Sequence, residues 1–164
     1  MTSVTYKLEE LRTEQVEPYC KVSLSKVQDL DLLVLKIDGE IDFLTERKIS
    51  NFLRRGPEFQ YRVFLENLDD LRFDEEKDGY VWIGNSNDTK RSNLIVDLTK
   101  NTYFGGTSLD FLKKLYELTK MDNHAFGVVG NNNLKTIFDF ARVNDMKLYN
   151  SLDQAIDSMT SVKA

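Results

Sequence analysis

From residue 93 onward the sequence alternates between short apolar runs and amphipathic segments with helical spacing. NLIVDLT (93–99) precedes one helical pattern, HAFGVVG (124–130) precedes a second, and MKLYN precedes a third. Strands and helices that alternate in this way form parallel strands joined by right-handed crossovers, with the helices covering the sheet. The alternation therefore predicts an α/β fold with a mostly parallel sheet.

The first third of the chain adds two strands and a helix to this pattern. Residues 19–26 alternate between apolar and polar side chains, which is typical of a half-buried strand and is assigned here to a sheet edge. LLVLKI (32–37) is continuously apolar and indicates a central strand. Residues 44–55 have helical spacing, with Leu44 on the apolar face, so the mixed sheet is expected to carry about four helices. The residues expected in the core include Ile95, Leu112, Ile137, Phe138 and Ile156.

The domain organisation follows from where this regular pattern begins and where it is interrupted. A chain of 164 residues suits one domain, which we place at residues 19–160. Residues 1–18 are polar and charged and are interpreted as a flexible N-terminal extension. Residues 57–92 contain two short apolar pieces around a strongly acidic run. Because regular patterning resumes after them, they are interpreted as an insertion between the first helix and the third strand.

Charge and composition argue against several functional classes. The chain carries 22 Lys and Arg against 27 Asp and Glu, a net charge of −5, and no basic cluster, so nucleic acid and membrane partners are not expected. No apolar run approaches the roughly 20 residues of a membrane span, and the N-terminus has no apolar segment of a secretory signal. The one cysteine, Cys20, cannot form an intramolecular disulfide, which agrees with a cytoplasmic location.

Sequence motifs of catalysis and cofactor binding are missing. The one histidine, His124, begins a predicted strand, where a structural role is more common than a catalytic one. The chain has no phosphate-loop, dinucleotide-binding or zinc-protease motif and no cluster of Cys and His residues. We therefore expect a protein that is not an enzyme and that uses neither a metal nor another cofactor.

The segment Gly105-Gly106-Thr107-Ser108 lies between a predicted strand and a predicted helix, at the edge of a parallel sheet where ligand contacts tend to gather. Two interpretations remain open from pattern alone. In the first, Thr107 or Ser108 only caps the helix and the glycines allow a tight turn. In the second, a hydroxyl at the positive end of a helix receives a phosphate.

The order of these elements resembles the STAS domain, the fold of bacterial anti-sigma factor antagonists. The resemblance covers residues 19–160 apart from the insertion. It depends on short motifs whose order and spacing match those of the family. These motifs are a G-E-x-D turn, a D-L strand end, a switch loop after it, and a C-terminal helix-strand-helix pattern. The matching residues are Gly39, Glu40, Asp42, Asp97, Leu98, Val143, Leu148, Ser151 and Ala155.

The resemblance implies a protein-binding module of bacterial signalling. In such a module the switch loop and the following helix dock on an anti-sigma factor, usually a serine kinase, and phosphorylation of the loop breaks the complex. By this resemblance the partner-binding region is the loop and helix at 104–116, and the candidate phosphorylation sites are Thr107 and Ser108. The residues assigned to partner binding are Asp42, Phe104, Gly105, Gly106, Thr107, Ser108, Leu109, Phe111 and Leu112.

The switch loop itself departs from the family pattern. Gly105 stands at the position of the family's aspartate, and Gly106 stands at the position of the usual phosphoserine. Thr107 falls on the family's second hydroxyl residue, and Ser108 falls on the family's glycine. Either Thr107 or Ser108 is the regulated residue, or the domain does not switch by phosphate. The alternative function is that of a STAS subunit or scaffold in a transport or stressosome-like assembly. The oligomeric state is not predicted.

Overall fold

A computed structural model describes residues 6–55, 71–76, 79–82, 93–121, 124–143 and 146–161. The fold is mixed α/β, as predicted, with a seven-stranded, mostly parallel sheet in the order β1-β2-β3-β6-β8-β9, in which β7 also pairs with β3. The strands are β1 (Leu8–Glu17), β2 (Cys20–Val27), β3 (Leu32–Ile41), β4 (Leu71–Asp74), β5 (Gly79–Trp82), β6 (Asn93–Asp97), β7 (Asn101–Phe104), β8 (Phe126–Val129) and β9 (Lys147–Tyr149). The helices within the described residues are α1 (Phe43–Arg55), α2 (Gly106–Met121), α3 (Asn132–Phe140) and α4 (Leu152–Ser161).

The sheet buries an apolar cluster on each face because its central strands are apolar at nearly every position. The larger cluster contains Leu33 and Leu35 of β3 together with side chains of α1, α2 and α3. The smaller cluster contains Leu32 and Val34 of the same strand with side chains of α4. Successive strand residues point to opposite faces, so three helices cover one face and α4 covers the other.

The N-terminal segment differs from the predicted flexible extension. Residues 8–17 form β1, which pairs antiparallel with β2 from Leu8↔Val27 to Glu17↔Cys20. The prediction that residues 1–18 form a loose tail is therefore wrong for this segment, and β2 has neighbours on both sides instead of lying at the edge. The guanidinium of Arg12 attaches β1 to α1, because it lies 4.3 Å from the centre of the Phe52 ring and donates to the Phe52 carbonyl at 2.7 Å.

Part of the predicted insertion forms a small sheet of its own. β4 and β5 pair antiparallel, with Leu71 opposite Trp82, and form a separate two-stranded sheet. The remainder of residues 57–92 lies outside the described residues. The division into a domain at 19–160 and an insertion at 57–92 stays a prediction.

A further strand, β7, was not predicted from the sequence and directly precedes α2. It lies parallel to the end of β3, with Gly39 opposite Asn101 and Ile41 opposite Phe104. Gly39 has a φ of +118°, and a Cβ added there would lie 1.9 Å from the Tyr19 carbonyl oxygen, so the position requires glycine. β3 continues past Lys36, its last pair with β6, and pairs with β7. Thr102 of β7 is the extra residue at the shift of register between the pairs Gly39↔Asn101 and Glu40↔Tyr103.

The core contains four of the five residues that were expected there. Ile95, Leu112, Phe138 and Ile156 are buried, with at most 3% of their surface exposed. Ile137 is only half-buried, because it lies at the side of α3 that borders a surface groove. The assignment of Leu44 to the apolar face of α1 is also wrong: it is 60% exposed, because the buried face of the helix runs through Thr45, Ile49, Phe52 and Leu53, and Leu44 lies beside that face.

Candidate protein-binding site

The start of α1 is fixed by Asp42, the residue that follows β3. Its Oδ1 accepts hydrogen bonds from the backbone N–H groups of Leu44 at 3.0 Å and Thr45 at 2.8 Å, while the Thr45 hydroxyl accepts from the Asp42 N–H at 2.7 Å. These reciprocal bonds satisfy helix N–H groups that have no partner within the helix. Bonds from Thr45 and Tyr19 hold the pKa of Asp42 below its usual range, the Thr45 backbone bond contributing most. Asp42, predicted to bind a partner, is therefore primarily a helix cap.

Tyr19 is connected to the same carboxylate. Its phenol donates to Asp42 Oδ2 at 2.9 Å. This bond, with smaller contributions from the neighbouring carboxylates, raises the pKa of Tyr19 to about 12, because ionisation would place two negative charges together. Tyr19 is exposed, so a partner at the start of α1 can reach it.

Ser108 connects the start of α2 to the end of β3. Ser108 is 1% exposed, and its Oγ donates to the Ile41 carbonyl at 2.7 Å. The same Oγ accepts a hydrogen bond from the Gly105 N–H at 3.3 Å. The Ser108 hydroxyl therefore bonds both the last residue of β3 and the residue that precedes α2. A kinase cannot reach a side chain buried in this way while the loop keeps this conformation, so the structure opposes Ser108 as a phosphorylation site.

The two glycines of the loop have different surroundings. A Cβ added to Gly105 would lie 3.0 Å from the Tyr103 hydroxyl, whereas one added to Gly106 would meet nothing within 4 Å. Gly106 is exposed in the first turn of α2. Thr107 follows in the same turn, and its side chain lies outside the described part of the structure. Gly106 therefore marks a position where the chain can carry a side chain without disturbing its own packing.

Three residues that were predicted to contact a partner are part of the core instead. Leu109 is 9%, Phe111 1% and Leu112 0% exposed, and all three belong to the larger apolar cluster. Phe104 is half-buried against Phe138, with ring centres 6.4 Å apart. These side chains hold α2 on the sheet, and in this conformation Leu109, Phe111 and Leu112 are not available to another protein.

Large exposed side chains near the loop were not recognised from the sequence. Phe43 is 69%, Leu44 60% and Tyr103 54% exposed. They lie close to the start of α2 because Ile41 pairs with Phe104, so Phe43 and Gly106 each follow a paired strand end by two residues. We call Phe43, Leu44, Tyr103, Gly106 and Thr107 the helix-start surface. The signal that could have revealed it is the helical spacing of Thr45, Ile49, Phe52 and Leu53, which leaves Phe43 and Leu44 off the buried face.

The electrostatics of the region give no sign of a reactive group. Burial raises the pKa of the Cys20 thiol to about 11, so it is a poor nucleophile at neutral pH. Burial also raises the pKa of Glu46, between α1 and α2, while Lys114 opposes this shift. The described residues contain no group of His, Cys, Asp and Glu that could hold a metal ion. None of the helices within the described ranges is both long and apolar enough to cross a membrane.

The described residues form a mixed sheet with α1, α2 and α3 on one face and α4 on the other, an architecture of the α/β class. The family comparison agrees with this architecture: the model of the STAS domain matches residues 23–155. The chain belongs to the STAS domain family. None of the curated proteins matches it.

Two solved structures extend the comparison. The crystal structure of an anti-sigma factor antagonist from Mycobacterium paratuberculosis is 16% identical, covers 86% of this chain and 94% of its own, and has a TM-score of 0.53. An uncharacterised protein of the DUF3478 family with a SpoIIAA-like fold, from Shewanella loihica PV-4, is 12% identical over 97% of this chain and 98% of its own, with a TM-score of 0.44. At this level of identity the first likeness establishes the fold alone.

Proposed function

We propose that this chain is a non-catalytic protein-binding module of bacterial signalling that acts as an anti-sigma factor antagonist. Its partner is an anti-sigma factor of the serine kinase type, and the contact is made by the helix-start surface. The family and the fold of the Mycobacterium paratuberculosis antagonist support this class. The observation that carries the proposal is the exposure of Phe43, Leu44 and Tyr103 beside the start of α2.

Exposed aromatic and aliphatic side chains of this size favour a protein partner. An exposed Phe or Leu retains apolar surface that is stabilised when another protein removes it from water, at about 25 cal/mol per Å². Aromatic residues are also enriched among those that dominate binding energy in interfaces. The buried residues Leu109, Phe111 and Leu112 support the surface from beneath.

Regulation is proposed at Thr107, since Ser108 is buried under the loop. The free N–H groups at the start of α2 favour a phosphate locally. On a surface that a partner covers, the same phosphate opposes binding, because its desolvation and repulsion outweigh the local gain unless the partner supplies arginines. Thr107→Glu should therefore weaken the complex, and Thr107→Ala should preserve it. Mass spectrometry that never finds phosphate on residues 102–113 across growth and stress conditions would remove the switch but leave the binding module.

The binding proposal is tested with a charge placed where it does not disturb the fold. Gly106→Glu adds an exposed carboxylate in the first turn of α2, where the chain leaves open space and a negative charge suits the helix dipole. The matched control is Gln154→Glu, in the first turn of α4 on the opposite face of the sheet. The partner is captured from native cells, identified, purified and titrated against both variants.

Gly106→Glu should weaken binding at least about tenfold, or about 1.4 kcal/mol, with unchanged thermal stability. Gln154→Glu should bind like the wild type. Equal binding by both variants would show that the partner contacts another surface. A transport protein or a scaffold as the identified partner would support the alternative STAS role.

A further inference from the structure

We infer that the groove between β7 and α3 binds an extended segment of the partner protein, which lies along β7 as an additional strand. This inference rests on the proposed function, because it extends the helix-start surface through Tyr103, which belongs to both. It adds a statement that the proposed function does not make: the partner contributes a strand-like peptide with an apolar anchor.

The groove has a volume of about 390 Å³, within the usual range of ligand sites. One wall is β7, and the other is the start of α3. Its lining residues are Asn101, Thr102, Tyr103, Phe104, Asn131, Asn133, Leu134, Thr136 and Ile137. Among the described strands β7 pairs with β3 alone, so its other edge faces this groove. A strand edge beside a helix offers backbone groups to an incoming strand.

The chemistry of the lining suits a peptide backbone. None of the described residues that line the groove carries a full charge, so a charged ligand would lose hydration there without an ion partner. The side-chain amide of Asn133 and the hydroxyl of Thr102 can donate to and accept from peptide groups. The Asn101 amide nitrogen already donates to the carbonyls of Gly39 at 2.9 Å and Tyr103 at 2.8 Å, so both of its donors are in use. A neutral chain of amides is the ligand that such groups match.

The apolar part of the groove suits alternate side chains of a strand. Phe104 and Ile137 are half-buried there and leave apolar surface facing the opening. Because the side chains of a strand alternate, a peptide paired with β7 directs every second side chain to one face. We expect an aliphatic or aromatic anchor on Phe104 and Ile137, and the proximity of Tyr103 joins this anchor to the helix-start surface. The partial exposure of Ile137, which sequence periodicity assigns to the core, is then part of a binding site.

The experiment uses the full chain and a phage-displayed library of random 12-residue peptides. Peptides that are enriched should share an aliphatic or aromatic residue within an extended sequence, and amide hydrogen exchange should slow at residues 102–104 when they bind. Asn133→Trp fills the groove from an exposed helix position, and Lys135→Trp, exposed on the same helix and outside the groove lining, is the matched control. Asn133→Trp should lower peptide affinity at least about tenfold, and Lys135→Trp should leave it unchanged.

Ile137→Glu provides a second, independent perturbation, with Phe140→Glu as its control, because Phe140 is 91% exposed and lies outside the groove lining. Failure to enrich any peptide, or enriched peptides that bind Asn133→Trp and Ile137→Glu as tightly as the wild type, would overturn the inference. If Gly106→Glu weakens the native complex but Asn133→Trp does not, the groove inference fails while the proposed function stands. If Asn133→Trp weakens it but Gly106→Glu does not, the groove is used without the helix-start surface.

Discussion

Removal of the Ser108 hydroxyl should destabilise the fold more than the loss of one exposed hydroxyl group would. In Ser108→Ala the Ile41 carbonyl loses a donor at 2.7 Å and the Gly105 N–H loses an acceptor at 3.3 Å, at a site where Ser108 is 1% exposed. A buried polar group left without its partner costs about 1–3 kcal/mol. Since the Gly105 bond is long and the loop can admit water, we expect a loss of about 2 kcal/mol. For a chain of this size that lowers the melting temperature by roughly 4–8 °C.

The comparator is Ser151→Ala, which removes an exposed hydroxyl that accepts from the Gln154 N–H at 3.1 Å at the start of α4. Loss of such a cap costs about 1 kcal/mol. Urea melts of both variants compare a buried bond between a helix and a distant strand with an exposed local cap. A loss below about 0.5 kcal/mol for Ser108→Ala, with Ser151→Ala behaving normally, would show that the Ile41 carbonyl does not depend on this hydroxyl and would refute the argument.

The remaining predictions concern backbone conformation, core packing and pH. Gly39→Ala should prevent cooperative folding or cost more than about 3 kcal/mol in denaturant melts, because of its φ of +118° and the close carbonyl, whereas Gly106→Ala should be neutral or stabilising. Ile156→Ala, at a fully buried site, should cost about 2–5 kcal/mol, while Ile137→Ala should cost roughly 1 kcal/mol; equal losses would contradict the observed burial. The bond from Tyr19 stabilises the fold below the phenol's usual pKa, and this contribution should disappear as the pH rises through the folded pKa of about 12. The free energy of unfolding of Tyr19→Phe should therefore decrease less steeply with pH above about 10 than that of the wild type. Identical pH curves for the two proteins would show that the Tyr19 bond does not contribute to stability.

The helices could be predicted from the sequence because their signals are local. The helical pattern predicted at 44–55 lies within α1, and the patterns predicted after 93–99 and after MKLYN correspond to α2 and α4. Caps and apolar spacing act within a few residues of the chain. The central strands were equally evident, since β3, β6 and β8 are short apolar runs between helices.

The strands β1 and β7 could not be predicted because their stability depends on distant residues. β1 reads LEELRTEQVE. Half of its residues are charged, and two shifts of register break the two-residue period. β7 has four residues and pairs with the end of β3, with Gly39 opposite Asn101, so it joins distant parts of the chain. Neither pairing has a local sequence signal of the kind that marks a helix.

The exposure of the predicted site residues could not be predicted from the sequence for a similar reason. The position of the loop was evident, and the resemblance indicated its role, but the resemblance alone did not show which side chains point outward. Ser108 is buried because the carbonyl it bonds, Ile41, is 67 residues away in sequence. Phe43 and Leu44 are exposed because the buried face of α1 begins at Thr45, which is 0% exposed in the same turn, and they lie beside that face.

The end of β3 connects the two halves of the helix-start surface. The Ile41 carbonyl holds Ser108 of α2, and the next residue, Asp42, caps α1. A phosphate on Thr107 would attract the N–H groups of the first turn of α2, and the N–H group of Gly105, the residue before that helix, already donates to Ser108 Oγ. Any movement of Ser108 changes the environment of the Ile41 carbonyl. Because Asp42 follows Ile41 and caps α1, the same movement also affects the first turn of α1. A phosphate on Thr107 of α2 would therefore also affect the exposed residues of α1. A partner that contacts both α1 and α2 would respond at both helices to a charge placed on α2 alone.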